Sequence, residues 1–211
     1  TWAMDNWVKG MMEATGGYVT AWDAVNEAIS GGDNDGDGYY DLQSARFVSE
    51  EEAQNNFYWQ DYLGSEDYVR IVVAKARQYF QEYGGNPSDL KLFINDYNLE
   101  SWWDGNQKAK SLVHWIQTWE SDGVTKIDGI GTQMHVSYIL NDADQKAQEE
   151  SIVNMFKILA ASGKLIKITE LDMGIVENAF GTGLKTEEVT FEQEQKMAEF
   201  YTFIIRKYFE I

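Results

Sequence analysis

The sequence predicts an α/β fold in which the strands of a parallel sheet alternate with helices. Three observations lead there. Four short apolar runs rich in β-branched and aromatic residues are separated by stretches with apolar residues at helical spacing. Glycine, asparagine and proline mark most of the boundaries. Each of the four runs also ends in polar or acidic residues.

The elements follow in order. Asp5–Ala14 carries Trp7, Val8, Met11 and Met12 as a helical stripe, and Gly16-Gly17 stops it. Tyr18–Val25 reads as a buried strand. A long acidic, glycine-rich loop follows at about 30–64, where Glu50-Glu51-Glu52 reads as a solvated helix start. Ser65 is placed to cap a helix with Tyr68, Val69, Val72, Val73, Ala76, Tyr79 and Phe80 on one face, closed by Gly84-Gly85-Asn86-Pro87. Lys91–Asn95 is the second strand and Asn106–Ser121 the next helix, with His114 on its surface or in its packing. Ile127–Val136 contains the third strand. Asp144–Ser162 is a helix closed by Gly163, Leu165–Leu171 is the fourth strand, and Thr190–Phe209 is a final amphipathic helix.

The order α-βα-βα-βα-βα fits a doubly wound sheet or a (β/α)8 barrel. No glycine-rich phosphate loop follows any strand, which removes the main support for nucleotide binding. At 211 residues the chain makes one domain, spanning 1–211. A full (β/α)8 barrel takes about 250 residues, and only four strands are visible. If the fold is a (β/α)8 TIM barrel, it is incomplete in this chain, roughly half is missing, and it needs a remaining barrel segment as partner. The first residue is Thr1, without a basic or signal-type stretch after it, and reads as a processed or cut end.

Composition excludes several functions. Seventeen Lys and Arg against 35 Asp and Glu leave a net charge of −18, with no basic patch for nucleic acid. No apolar run is long enough to span a membrane. With no cysteine, there is no disulfide, zinc-thiolate site or thiol nucleophile. Eight Trp and twelve Tyr suit sugar rings, whose flat C–H faces stack on aromatic side chains, although most of these rings are expected in the core.

The chemistry lies at the strand ends, which face the active site in a (β/α)8 barrel. The first strand runs into Asn26-Glu27 and the second into Asn95-Asp96-Tyr97-Asn98. The third carries Gln133-x-His135 and the fourth Thr169-Glu170-Leu171-Asp172. Gln133 and His135 share a strand face by their spacing of two, and His135 is placed to bond one carboxylate. Retaining glycoside hydrolysis needs one protonated and one ionised carboxyl flanking the scissile bond. Glu27 and Glu170 are candidates for that pair.

Trp22-Asp23-Ala24-Val25-Asn26-Glu27-Ala28 resembles the acid/base motif of glycoside hydrolase family 10, the retaining xylanases. Ile168-Thr169-Glu170-Leu171-Asp172 resembles its nucleophile motif. Ile94-Asn95-Asp96-Tyr97-Asn98 and Gly129-Ile130-Gly131-Thr132-Gln133-Met134-His135 are similar to the intervening strands, in the same order. The resemblance covers most of the chain and implies strands four to seven of the barrel. It implies Glu27 as acid/base, Glu170 as nucleophile and Asn26 on a sugar 2-hydroxyl. It further implies His135 bonding Glu170, Asp172 supporting His135, Gln133 lining the cleavage subsite and Tyr97 stacking on the leaving-group sugar. The early strands and the last strand of the family pattern are absent.

The implied activity is endo-hydrolysis of xylan or a related β-1,4-linked polysaccharide, with no cofactor for catalysis. The alternative is a catalytically incomplete carbohydrate-binding fragment. A third reading is a metal-dependent carboxylate hydrolase. The expected location is secreted, periplasmic or cell-surface. Separately, Asp33, Asp35, Asp37 and Asp41 alternate around Gly36 like a calcium loop, a candidate structural site, although Ser44 stands where an EF-hand has its bidentate glutamate. Trp102-Trp103 is a candidate extension of a sugar platform.

Overall fold

The computed structural model describes residues 1–211. Helix α1, Trp2–Thr15, buries Met4, Val8 and Met12, one residue per turn of a single stripe. Trp7 and Met11, expected on that stripe, lie on its exposed flank. Gly16 ends the helix in the left-handed region, with its N–H donated to the Met12 carbonyl.

Strand β1, Ala21–Asn26, then enters the sheet. The acidic loop after it is not structureless. Hydrogen bonds from Ser30 to Asp41 and from Asp41 to Gly32 close its neck. Its tip docks on a later helix: Tyr39 stacks on His114 at 3.9 Å, and the Trp115 indole donates to the Tyr40 carbonyl. Two short helices complete the segment, α2 at Glu50–Asn55 and α3 at Trp59–Leu63. Ser49 caps α2, whose first turn holds Glu50, Glu51 and Glu52 at the positive end of the helix dipole.

Helix α4, Asp67–Glu82, leads to β2, Lys91–Asp96, and α5, Gln107–Glu120, leads to β3, Gly129–Thr132. Ser65 does not cap α4. Its carbonyl accepts from the Trp119 indole instead, and the helix begins one residue later, after Glu66.

The third and fourth strands each continue, after a break, into a second strand. Met134, at φ 64°, turns the chain out of β3 into β4, His135–Ile139. Helix α6, Asp142–Ala161, then precedes β5, Leu165–Ile168, which resumes as β6, Asp172–Val176, and α7, Phe191–Phe209, ends the fold.

All four strands of the main sheet are parallel, in the order β1-β2-β3-β5, and β4 and β6 form a separate parallel pair beyond their C-terminal ends. The inner strands β2 and β3 are buried almost throughout, as both-face burial by crossover helices requires. The outer strands β1 and β5 are mostly open. One core unites sheet and helices, with Phe80, Ile94, Leu112, Trp119, Ile130, Ile152 and Leu159 fully buried. No helix is long and apolar enough to cross a membrane.

Candidate active site

The C-terminal ends of β1, β2, β3 and β5 carry the polar groups, and their backbones interlock. The Glu27 N–H donates to the Asn95 carbonyl, that of Gln133 to Asp96, and that of Glu170 to Gln133. Three non-glycine residues just past strand ends adopt left-handed backbone: Glu27 (φ 57°), Asn98 (φ 58°) and Met134 (φ 64°). Asparagine tolerates this region, whereas Glu and Met pay roughly 1–2 kcal/mol for it. Such strain persists where the surroundings over-determine it.

One side-chain chain joins the two candidate glutamates. The Gln133 Nε2 donates to Glu27 Oε1 at 2.9 Å and lies 3.2 Å from Asn26 Oδ1. Asn95 Nδ2 donates to that same Asn26 oxygen at 2.9 Å and to Glu170 Oε1 at 2.9 Å. The far oxygen of Glu170 meets His135 Nε2 at 3.2 Å, and His135 Nδ1 meets Asp172 at 2.9 Å. His135 and Asp172 are register partners on β4 and β6, so the sheet itself sets that contact. The His135 pKa is raised, chiefly by its hydrogen bond to Asp172, with Glu170 adding to it.

The structure thus brings Asn26, Glu27, Gln133, His135, Glu170 and Asp172 together. The shared-face reading of Gln133 and His135 does not hold, because the chain breaks between them at Met134. Gln133 is buried and His135 is exposed, yet both reach the carboxylates.

Tyr97 lies beside this network, half-buried, with one ring face covered by Lys108 Nζ at 3.4 Å from the centroid. Lys108 also pairs with the fully buried Asp96 at 2.8 Å. Asp96 accepts in turn from the backbones of Ile29 and Tyr97. This buried pair ties α5 to the loops that carry Glu27 and Tyr97. Sequence reasoning assigned no role to Asn95, Lys108 or Asp96. The legible signal was a polar pair ending the apolar run Lys91–Asp96.

Glu27 and Asn26 also border a cavity of 420 Å³ walled by Trp7, Phe57, Tyr58 and Trp59. In the acidic loop, carboxylate oxygens of Asp33, Asp35 and Asp37 gather within 4.8 Å of one another. Asp41, expected as a fourth ligand, stands apart: its carboxylate accepts from the backbone and side chain of Asn34, which fastens the neck of the loop.

The family model for glycosyl hydrolase family 10 matches residues 1–210. The chain belongs to that family. Relatives include the endo-1,4-beta-xylanase A of Cellvibrio japonicus, 35% identical over 158 residues, which covers 74% of this chain and 22% of the relative. The endo-1,4-beta-xylanase A of Thermoanaerobacterium saccharolyticum is 31% identical over 175 residues, covering 83% of this chain and 12% of its own. A family 10 structure from Paenibacillus barcinonensis is 28% identical with a TM-score of 0.70, covering 99% of this chain and 51% of that one. A mutant structure in complex with xylotriose, 25% identical, also gives 0.70, at 98% and 52% coverage. The fold is accordingly a partial (β/α)8 barrel, and the chain spans about half the length of those solved chains.

Proposed function

We propose that the protein containing this chain is a retaining endo-β-1,4-xylanase, with Glu170 as nucleophile and Glu27 as acid/base. The observation that carries this reading is the unbroken hydrogen-bonded chain from Glu27 through Gln133, Asn26 and Asn95 to Glu170. It holds two carboxyl groups at one barrel mouth with different surroundings. Glu170 accepts from Asn95 on one oxygen and meets His135 on the other. The Glu27 carboxyl group accepts from the Gln133 amide and borders an aromatic-walled cavity.

In the first step, Glu170 attacks the anomeric carbon while the Glu27 carboxyl gives its proton to the departing glycosidic oxygen. The product is a glycosyl ester on Glu170. In the second, the Glu27 carboxylate takes a proton from water, whose oxygen attacks the same carbon and releases Glu170 with configuration retained. Asn26 is positioned to bond the 2-hydroxyl and Tyr97 to stack its free face on the leaving-group sugar. His135, itself held by Asp172, orients the Glu170 carboxyl group.

A 2-fluoro xylobioside with a good leaving group tests this by trapping the ester. Peptide mass spectrometry should find the sugar on Glu170. Labelling elsewhere, or none, overturns the assignment.

The partner this reading requires is the remaining barrel segment. It is supported by the sheet order, which leaves one ladder side of β1 and one of β5 unpaired. A second reading, carbohydrate binding without turnover by this chain alone, is favoured by its coverage of about half of the matched structures. Comparing the chain with the whole barrel on an aryl xylobioside separates the two. A polysaccharide does not cross a membrane intact, which supports action at the cell surface, in the periplasm or outside the cell. The chemistry needs no cofactor. Calcium in the Asp33–Asp35–Asp37 turn would be structural.

A further inference from the structure

Glu27 holds left-handed backbone at φ 57°, strained for a residue with a Cβ. In that geometry its carboxyl reaches the Gln133 amide at 2.9 Å. The chain before it is fixed, because the Glu27 N–H donates to the Asn95 carbonyl at 2.8 Å. Rotation of φ about that fixed N–H swings the Glu27 side chain and the Glu27 carbonyl together. The group that holds the carbonyl therefore opposes relaxation. That group is Gln43, 16 residues further on, whose Nε2 donates to the Glu27 carbonyl at 2.9 Å. The Gln43 backbone N–H also donates to the Ala28 carbonyl at 2.8 Å. Gln43 is braced in turn from helix α3. The Gln60 side chain donates to the Gln43 carbonyl. Asp61 accepts from the Ser44 hydroxyl at 2.6 Å and from the Ala45 N–H at 2.9 Å. Helix α3 buries none of its residues, so core packing does not account for it. Gln43 and Gln60 line the same 420 Å³ cavity that Glu27 borders.

We propose that Gln43 is a positioning residue for the acid/base, holding Glu27 in left-handed backbone so that its carboxyl points at the departing oxygen. The inference rests on the glycosidase reading of Glu27 and Glu170, and it extends the working site beyond the strand ends into the acidic loop. Strained backbone persists only where its surroundings over-determine it. Here the Asn95 carbonyl fixes one side of the Glu27 Cα and the Gln43 amide fixes the other. Ile29, two residues on, is tied separately by its N–H to Asp96 at 3.0 Å. Gln43 bonds the backbone of Glu27 and not its carboxyl, so it acts on proton transfer by orienting the donor. Without Gln43 the acid swings off line while Glu170 still faces the anomeric carbon. The loss then scales with how much the departing group needs a proton.

The test uses Gln43→Met in the protein with the complete barrel. Methionine keeps the length of the side chain and removes its N–H donors. Gln43 is half-buried and outside the core, so the replacement leaves folding intact. Two substrates are compared. The phenolate of phenyl xylobioside is a poor leaving group and needs a proton, whereas that of 2,4-dinitrophenyl xylobioside departs unaided. On both, kcat/KM reports the step that forms the glycosyl ester. A positioned general acid contributes about 10²–10⁴-fold, so its partial displacement should lower kcat/KM about tenfold on the phenyl substrate and less than about twofold on the dinitrophenyl one. A structural disturbance of the whole site lowers both alike. Equal loss on the two substrates, or no loss on either, overturns the proposal. If wild type turns over neither substrate, the glycosidase reading fails separately. The crystal structure of Gln43→Met then decides the role of Gln43: Glu27 relaxed to negative φ supports it, and Glu27 still left-handed overturns it.

Discussion

Gly131 supports the proposed nucleophile Glu170 without touching it, and substituting it should show this. It sits on β3 opposite Asn95 of β2. A Cβ built there would lie 2.3 Å from Asn95 Oδ1 and 3.1 Å from both Asn95 Cγ and Thr169 Cγ2. Ordinary contact begins near 3.4 Å. In Gly131→Ala the Asn95 carboxamide must therefore retreat by about 1 Å, which stretches its bonds to Asn26, Glu170 and Thr169 out of hydrogen-bonding range. Asn95 is 1% exposed, so water does not replace the lost partners. Overpacking of this kind costs about 1–3 kcal/mol of stability. Misplacing the reacting carboxylate by about 1 Å costs on the order of 10²-fold in rate. The assay is kcat on an aryl xylobioside with the whole barrel, beside urea unfolding. Gly174→Ala serves as the control, because a Cβ there meets no heavy atom within 4 Å. A Gly131→Ala enzyme that folds and keeps kcat within about threefold of wild type would refute the claim that Asn95 positions Glu170.

Three further outcomes are expected. The NMR titration midpoint of His135 should lie above the ordinary histidine value of about 6.5, and Asp172→Asn should lower it; a midpoint at or below that value removes the proposed clamp. Because the folded-state pKa is the raised one, the stability contributed by His135 is fully present below the unfolded value and disappears as pH rises through the folded one. Lys108→Met leaves Asp96 charged and buried without its partner and should cost about 3–5 kcal/mol in urea unfolding, with a loss under about 1 kcal/mol counting against the pair. Millimolar calcium should raise the melting temperature in wild type but not in Asp35→Asn, and calorimetry without heat would exclude an ion from the acidic turn.

Much of this architecture is legible in the chain because its signals are local. Helices α1, α4, α5, α6 and α7 show their periodicity over three or more turns, and strand β2 carries the short apolar run Leu92-Phe93-Ile94. Helices α2 and α3 are only six and five residues long and bury nothing, so no stripe marks them. The breaks after β3 and β5 are hidden for a different reason. Apolar residues resume within two positions, at Val136 and Met173, and a left-handed kink at a methionine leaves no trace in composition. The two glutamates stand out because each is an acidic residue at the C-terminal end of a strand-like run, the end that faces the active site in a barrel. Asn95 does not stand out, since its meaning depends on Asn26, Thr169 and Glu170, which lie 69, 74 and 75 residues away in the chain.

The left-handed backbone at Glu27 bears on how such a chain would drift without selection. Glycine is the one residue that occupies this geometry freely. Glu27→Gly would therefore relieve the strain of roughly 1–2 kcal/mol while deleting the proposed acid/base. Stability and turnover pull in opposite directions at this position. A library screened only for folding should drift toward glycine there, and one screened for xylan cleavage should hold glutamate. The residue that occupies position 27 would report which of the two pressures a lineage had experienced.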